Sequence, residues 1–95
     1  MEHLGVSLLE PELILSSKAR IRVLEMVARE GAISITSLAR KTGLNHGDVD
    51  CAVMCLSDAG LLLDEYRGRS RVVAPNFRRC DLLFIRGQGL EVNVI

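Results

Sequence analysis

The stretch Ser34–Gly60, SITSLARKTGLNHGDVDCAVMCLSDAG, reads as two helices joined by a tight glycine turn. Ser34 is suited to cap the first, with Thr36 and Ser37 in its opening turn and Leu38 and Ala39 on its inner face. Gly43-Leu44-Asn45 makes the turn, because glycine accepts the left-handed backbone of a sharp stop and Asn45 caps the next helix. Val49, Val53 and Leu56 then recur at spacings of four and three, one apolar stripe on a second helix that Ala59-Gly60 ends. Helix, glycine turn, helix is the helix-turn-helix pattern, whose second helix is offered to a DNA groove.

On the N-terminal side, Ser16 or Ser17 caps a helix that runs to Glu30, with Ile21, Leu24, Val27 and Ala28 inward and Arg22, Glu25 and Arg29 outward. Gly31 stops it. Ala32–Ile35 is short and β-branched, a small strand. Downstream, Leu61–Tyr66 and Ser70–Ala74 read as the arms of a hairpin whose tip is Arg67-Gly68-Arg69. Phe77–Arg86 supports two readings. Asn76 as cap, Phe77, Cys80 and Phe84 on one face and Gly87 as terminator fit a helix. Leu82–Ile85, Gly87-Gln88-Gly89 and the alternation of residues 90–94 fit a hairpin. The helix is the preferred reading. Before all this lies an apolar, acidic arm, residues 1–15, in which Leu8, Leu9, Leu13, Ile14 and Leu15 surround Pro11. The expected organisation is one domain over residues 1–95. It comprises the arm, helices over 17–30, 34–42 and 45–59, a wing hairpin over 61–74 and a C-terminal segment over 76–95 that serves dimerisation.

Length and composition narrow the class. Ninety-five residues make one small domain, yet 48% of them are hydrophobic, more than so small a monomer hides. The surplus predicts a partner surface, most simply a second copy. Three cysteines without paired spacing argue against a disulfide scaffold and for a reducing cytosol. No apolar run reaches membrane-spanning length, and the acidic start is no signal peptide, so a cytoplasmic protein is expected. Net charge is zero but arranged in blocks. Residues 18–41 hold six bases against Glu25 and Glu30, residues 42–66 hold five acids and no base, and residues 67–86 hold six arginines against Asp81. Such segregation favours one basic zone.

Three segments, Ser17–Gly31 (SKARIRVLEMVAREG), Ile35–Val49 (ITSLARKTGLNHGDV) and Leu56–Val73 (LSDAGLLLDEYRGRSRVV), carry a family resemblance. Over roughly Leu15–Pro75 the chain resembles the winged helix-turn-helix of ArsR- and MarR-type transcription regulators, especially small archaeal ones. The resemblance implies a mainly α domain with a small β-wing that binds double-stranded DNA as a homodimer. It also implies a recognition helix over 45–59. Winged helices serve as protein-interaction modules too, so that alternative stays open.

The residues expected at DNA are chosen by their chemistry. Arg67, Arg69 and Arg71 surround Gly68, and guanidinium forks match phosphate oxygens or enter a narrow minor groove. Lys18, Arg20, Arg40 and Lys41 add cations. The Ser34, Thr36 and Ser37 hydroxyls and a helix start suit a phosphate, besides plain capping. Asn45, His46, Asp50 and Cys51 face outward on the second helix, where bases are read. That helix carries no cation, and Asp48 and Asp50 meet phosphate repulsion, although Asp48 also suits the helix dipole. Three hairpin arginines per subunit of a dimer make about six phosphate contacts and a log–log salt slope near −5. Cys51 and Cys55, with His46 one turn earlier, match metal-ligand spacing only weakly, and inert apolar thiols are the preferred reading. No cofactor, metal or enzymatic activity is expected: no phosphate loop, nucleophile motif or paired-carboxylate arrangement with a credible pocket is present.

Overall fold

A computed structural model describes residues 10–95, so the first nine residues of the expected arm, Leu8 and Leu9 among them, lie outside the described part. Helix α1, Pro11–Leu15, opens on proline, whose missing N–H costs nothing in a first turn. Helix α2, Lys18–Glu30, begins where the Ser17 hydroxyl accepts the Arg20 amide and ends at Gly31. Strand β1, Ile33–Ser34, runs straight into helix α3, Ile35–Thr42, and the Ser34 side chain accepts the Ser37 amide. Gly43 stands at φ 76°, a left-handed stop that other residues adopt only with strain. Helix α4, His46–Asp58, is capped by Asn45, whose side-chain oxygen accepts the Asp48 amide at 2.7 Å.

Two hairpins complete the chain. Strands β2, Leu62–Arg67, and β3, Ser70–Pro75, turn at Gly68-Arg69, with positive φ at the glycine as a two-residue hairpin turn requires. Strand β1 joins them as the outer partner of β3, with Ile33 opposite Val73 and Ser34 opposite Val72. Strands β4, Cys80–Ile85, and β5, Gly89–Val94, form a separate two-stranded sheet. The main core lies between α2, α3, α4 and the first hairpin, where Val23, Val27, Leu38, Val49, Val53, Leu56, Leu61 and Val73 are fully buried. Each such side chain contributes roughly 1.5–3 kcal/mol by leaving water.

This architecture corrects the fold class expected from the sequence. A mainly α winged helix-turn-helix with a small β-wing gives way to a mixed α/β fold, 45% helical, with four helices and five strands in two antiparallel sheets among the described residues. Much of the difference sits in the C-terminal segment, where the preferred helix is absent and the hairpin forms instead. Pairing places Cys80, Leu82 and Phe84 opposite Val94, Val92 and Leu90, so one face of the ribbon is apolar throughout. A helix would also have gathered Phe77, Cys80 and Phe84, but left the alternating residues 90–94 without a buried face. Gly87 at φ 85° supplies the turn, closed by the Gln88 amide on the Ile85 carbonyl.

Of the inner face expected for helix α2, Val27 is buried and Leu24 packs on the core, whereas Ile21 and Ala28 are exposed and Val23 is buried instead. Helix α2 packs against both α4 and α3, and Val23 and Val27 are its buried residues. Among the described residues no helix is long and apolar enough to cross a membrane.

Candidate nucleic-acid interface

Strand alternation puts Leu62, Asp64 and Tyr66 of β2 on one face with Val73 and Arg71 of β3. Leu62 and Val73 are buried at the root of this face. Beyond them the ribbon outruns the core and the same face turns polar. There it overhangs the starts of α3 and α4, and a cleft of about 400 Å³ opens between the three elements. Ser34, Ile35 and Thr36 line one wall, His46 another, and Tyr66, Arg69, Ser70 and Arg71 the hairpin side. The pairing of β1 with β3 fixes the first wall, since Ser34 is both a strand partner of Val72 and the cap of α3.

Arg71 holds the cleft together. Its Nε and one terminal nitrogen donate to the two oxygens of Asp64 at 2.9 and 2.7 Å, a bidentate fork. Its other terminal nitrogen donates to Asp50 on α4. Asp64, and then Asp50, hold the guanidinium pKa well above its ordinary value. One cation thus serves two carboxylates, and the hairpin is tied to α4 by charge as well as by packing.

The residues expected at DNA therefore divide. Ser34, Thr36, His46, Arg69 and Arg71 meet at the cleft. Arg67, Gly68 and Arg69 form the exposed tip, and Arg40 is exposed on α3. Ser37 gives its amide to the Ser34 cap. Others are engaged elsewhere. Arg71 is committed to Asp50 and Asp64, so it is not an open phosphate ligand, and Asp50 is not an open base reader. Lys41 pairs with Glu30 at 3.1 Å. Arg20 donates to the Leu13 carbonyl at 2.7 Å and to the Ser16 hydroxyl at 3.4 Å, which fastens α1 to α2. Asn45 is doubly bonded to Asp48, accepting its amide and donating to its carboxylate. Cys51 is exposed and, with Ser17, Arg20 and Asp48, lines a separate small depression beside Lys18 at the start of α2.

Comparison with known protein families, curated proteins and solved structures finds no match. The chemistry of the cleft is therefore argued from its own residues. Tyr66 and Asp64 were missed as participants by sequence reasoning. The signal was their period-two spacing from Leu62, which assigns all three to one face of the ribbon. An exposed phenol beside a guanidinium and two helix starts offers donors and an aromatic surface to an anion with a planar group.

Among the described residues no group of three or more histidine, cysteine, aspartate or glutamate side chains converges as a metal site. Cys80 sits at the root of the second hairpin, where burial, reinforced by Asp81, pushes its thiol pKa up. It is a protonated, weakly nucleophilic thiol at neutral pH.

Proposed function

We propose that this chain binds duplex DNA as a homodimer, in the cytoplasm, as a transcription regulator or chromatin-associated factor rather than an enzyme. The observation that carries the reading is the cleft where Ser34, Thr36, His46, Tyr66 and Arg69 converge from three elements. The Arg71 bridge supports it, because the guanidinium offsets part of the negative charge that Asp50 would otherwise present on the outer side of α4. Arg67, Arg69 and Arg40 then make phosphate contacts, with the start of α3 beside them. Contacts of this kind position a protein on the backbone without reading sequence, so binding is sequence-tolerant and steeply salt-dependent. The engaged Asn45 and Asp50 leave little on α4 for base edges.

A gel-shift titration with random duplex at two salt concentrations tests the reading. Retardation at low salt that weakens sharply at high salt is the expected result. Absence of retardation at low salt removes the DNA reading. In that case exposed Met54 and Cys51 on α4 become the contact surface of a protein-interaction module.

A further inference from the structure

The cleft over the starts of α3 and α4 has one feature that contact with a duplex backbone leaves unused. Tyr66 stands beyond the buried root of its ribbon face, directly opposite Arg71, and is 72% exposed. Backbone phosphates call for cations and hydrogen-bond donors, not for an aromatic ring, and in a closed duplex stacking hides the faces of the bases. The charge of the lining is one-sided. His46, Arg69 and Arg71 line the cleft, and no carboxylate among the described residues does, since Asp50 and Asp64 hold Arg71 without lining it. Thr36, Arg69 and Ser70 are exposed on the same lining, two hydroxyls and a guanidinium fork that suit a phosphate. At about 400 Å³ the cleft is the size of a small-molecule site, with far more room than one phosphate needs.

We infer that the cleft takes one unpaired nucleotide of a DNA strand, its base laid on the Tyr66 ring and its phosphate held by Arg69 with the Thr36 and Ser70 hydroxyls. The preferred substrate is then duplex DNA that carries an unpaired nucleotide, as at a single-stranded overhang, rather than continuous duplex. Arg71 contributes by position. Its fork on Asp64 and its bond to Asp50 fix the ribbon over α4, so the Tyr66 side and the Thr36 wall of the cleft are held at a set separation. Stacking on an aromatic ring is tolerant of sequence, because every base has a π-face, and this agrees with the few base-edge contacts left on α4. The inference rests on the nucleic-acid reading of the cleft and narrows its substrate.

Tyr66 is the only tyrosine and the chain has no tryptophan, so the protein's own emission reports on the cleft without a label. Three probes are compared at one salt concentration: a blunt duplex, the same duplex with a three-nucleotide thymidine overhang, and the duplex with three abasic residues as its overhang. The abasic overhang adds phosphates without bases. The thymidine overhang is expected to bind about tenfold tighter than the blunt duplex, within the range that base–aromatic stacking gives, and to quench the tyrosine emission. The abasic overhang is expected to match the blunt duplex within about twofold. Tyr66→Ala is expected to bring the ratio of overhang to blunt affinity close to one and Tyr66→Phe to keep it, with thermal unfolding of both variants alongside. Equal affinity for blunt and thymidine ends, unchanged tyrosine emission, an abasic overhang as tight as the thymidine one, or a ratio untouched by Tyr66→Ala overturns the inference. Thymidine monophosphate that binds as tightly as the overhang assigns the cleft to a free nucleotide and overturns the strand as its occupant. Blunt duplex bound with no preference for the overhang removes this inference and leaves the duplex reading standing. Binding of the overhang without any binding of the blunt duplex does the reverse.

Discussion

Arg71 and Asp50, 21 residues apart in the chain, are joined by a charged hydrogen bond that ties the first hairpin to the side of α4. The same guanidinium grips Asp64, whose side chain is only 18% exposed. Replacing Arg71 by alanine leaves that carboxylate half-buried without its partner. The expected loss is about 1–2 kcal/mol, less than for a fully buried pair because Asp50 stays in reach of water. A double-mutant cycle with Asp50→Ala isolates the tether. Coupling indistinguishable from zero in urea unfolding would show that the hairpin and α4 are not linked this way in solution. Arg71→Lys keeps the charge and loses the fork, so it falls between wild type and alanine. The raised pKa of this group gives stability that is lost only as pH climbs through the folded value, beyond the working range, so no pH dependence arises from it.

The commitment of Arg71 also changes the expected salt dependence. Two hairpin arginines per subunit, Arg67 and Arg69, remain for phosphates, so the hairpin's share of the log–log slope in a dimer falls from near −5 to near −4, and Arg40 adds its own contact to the total. Arg69→Ala should flatten the slope by about one unit for each contact removed. A slope that does not move excludes the tip from the interface.

Gly43 tests the turn between α3 and α4. Its φ of 76° is left-handed, and nothing lies within 4 Å of where a Cβ would stand, so strain is the only obstacle to a side chain. Gly43→Ala should cost about 1 kcal/mol, the left-handed penalty partly offset by a less flexible unfolded chain. Gly43→Asn should cost less, since asparagine visits this region more readily. Equal stabilities for all three in urea would contradict the conformation.

Thiol labelling separates Cys51 from Cys80. Cys51 is exposed on α4, whereas Cys80 is partly buried with its pKa raised by desolvation and then by Asp81. Iodoacetamide at neutral pH is expected to modify Cys51 at least tenfold faster, as read by mass spectrometry. The stability consequence has a definite sign. Above the ordinary thiol range the unfolded chain gives up the Cys80 proton first, so stability falls with rising pH there. Cys80→Val should flatten that slope, and an unaltered slope would assign the pH dependence to other groups.

Short-range physics made part of this protein legible in the chain alone. Ser34 and Asn45 were legible as caps because a short polar side chain satisfies an amide three residues on, whatever the rest of the chain does, and the first cap was legible as Ser16 or Ser17, of which the structure takes Ser17. Gly31 and Gly43 were legible as stops for an equally local reason, and Val49, Val53 and Leu56 as one buried stripe. Packing settled the remainder. Residues 77–95 carry spacings that fit both helix and ribbon, and the choice fell to the burial of Cys80, Leu82, Val92 and Val94 against α1 and the core. The pattern of α2 placed Leu24 and Val27 inward correctly, and packing against α3 and α4 decided that Val23, not Ile21 or Ala28, completes the buried face. The candidate site divided along the same line: the Ser34 start of α3 was visible in the chain, but Arg71 looked like one of three equivalent cations. Its commitment to Asp50 and Asp64 comes from which face of β3 it occupies and from where α4 passes, and charges far apart in sequence acquire partners only when packing brings them within reach.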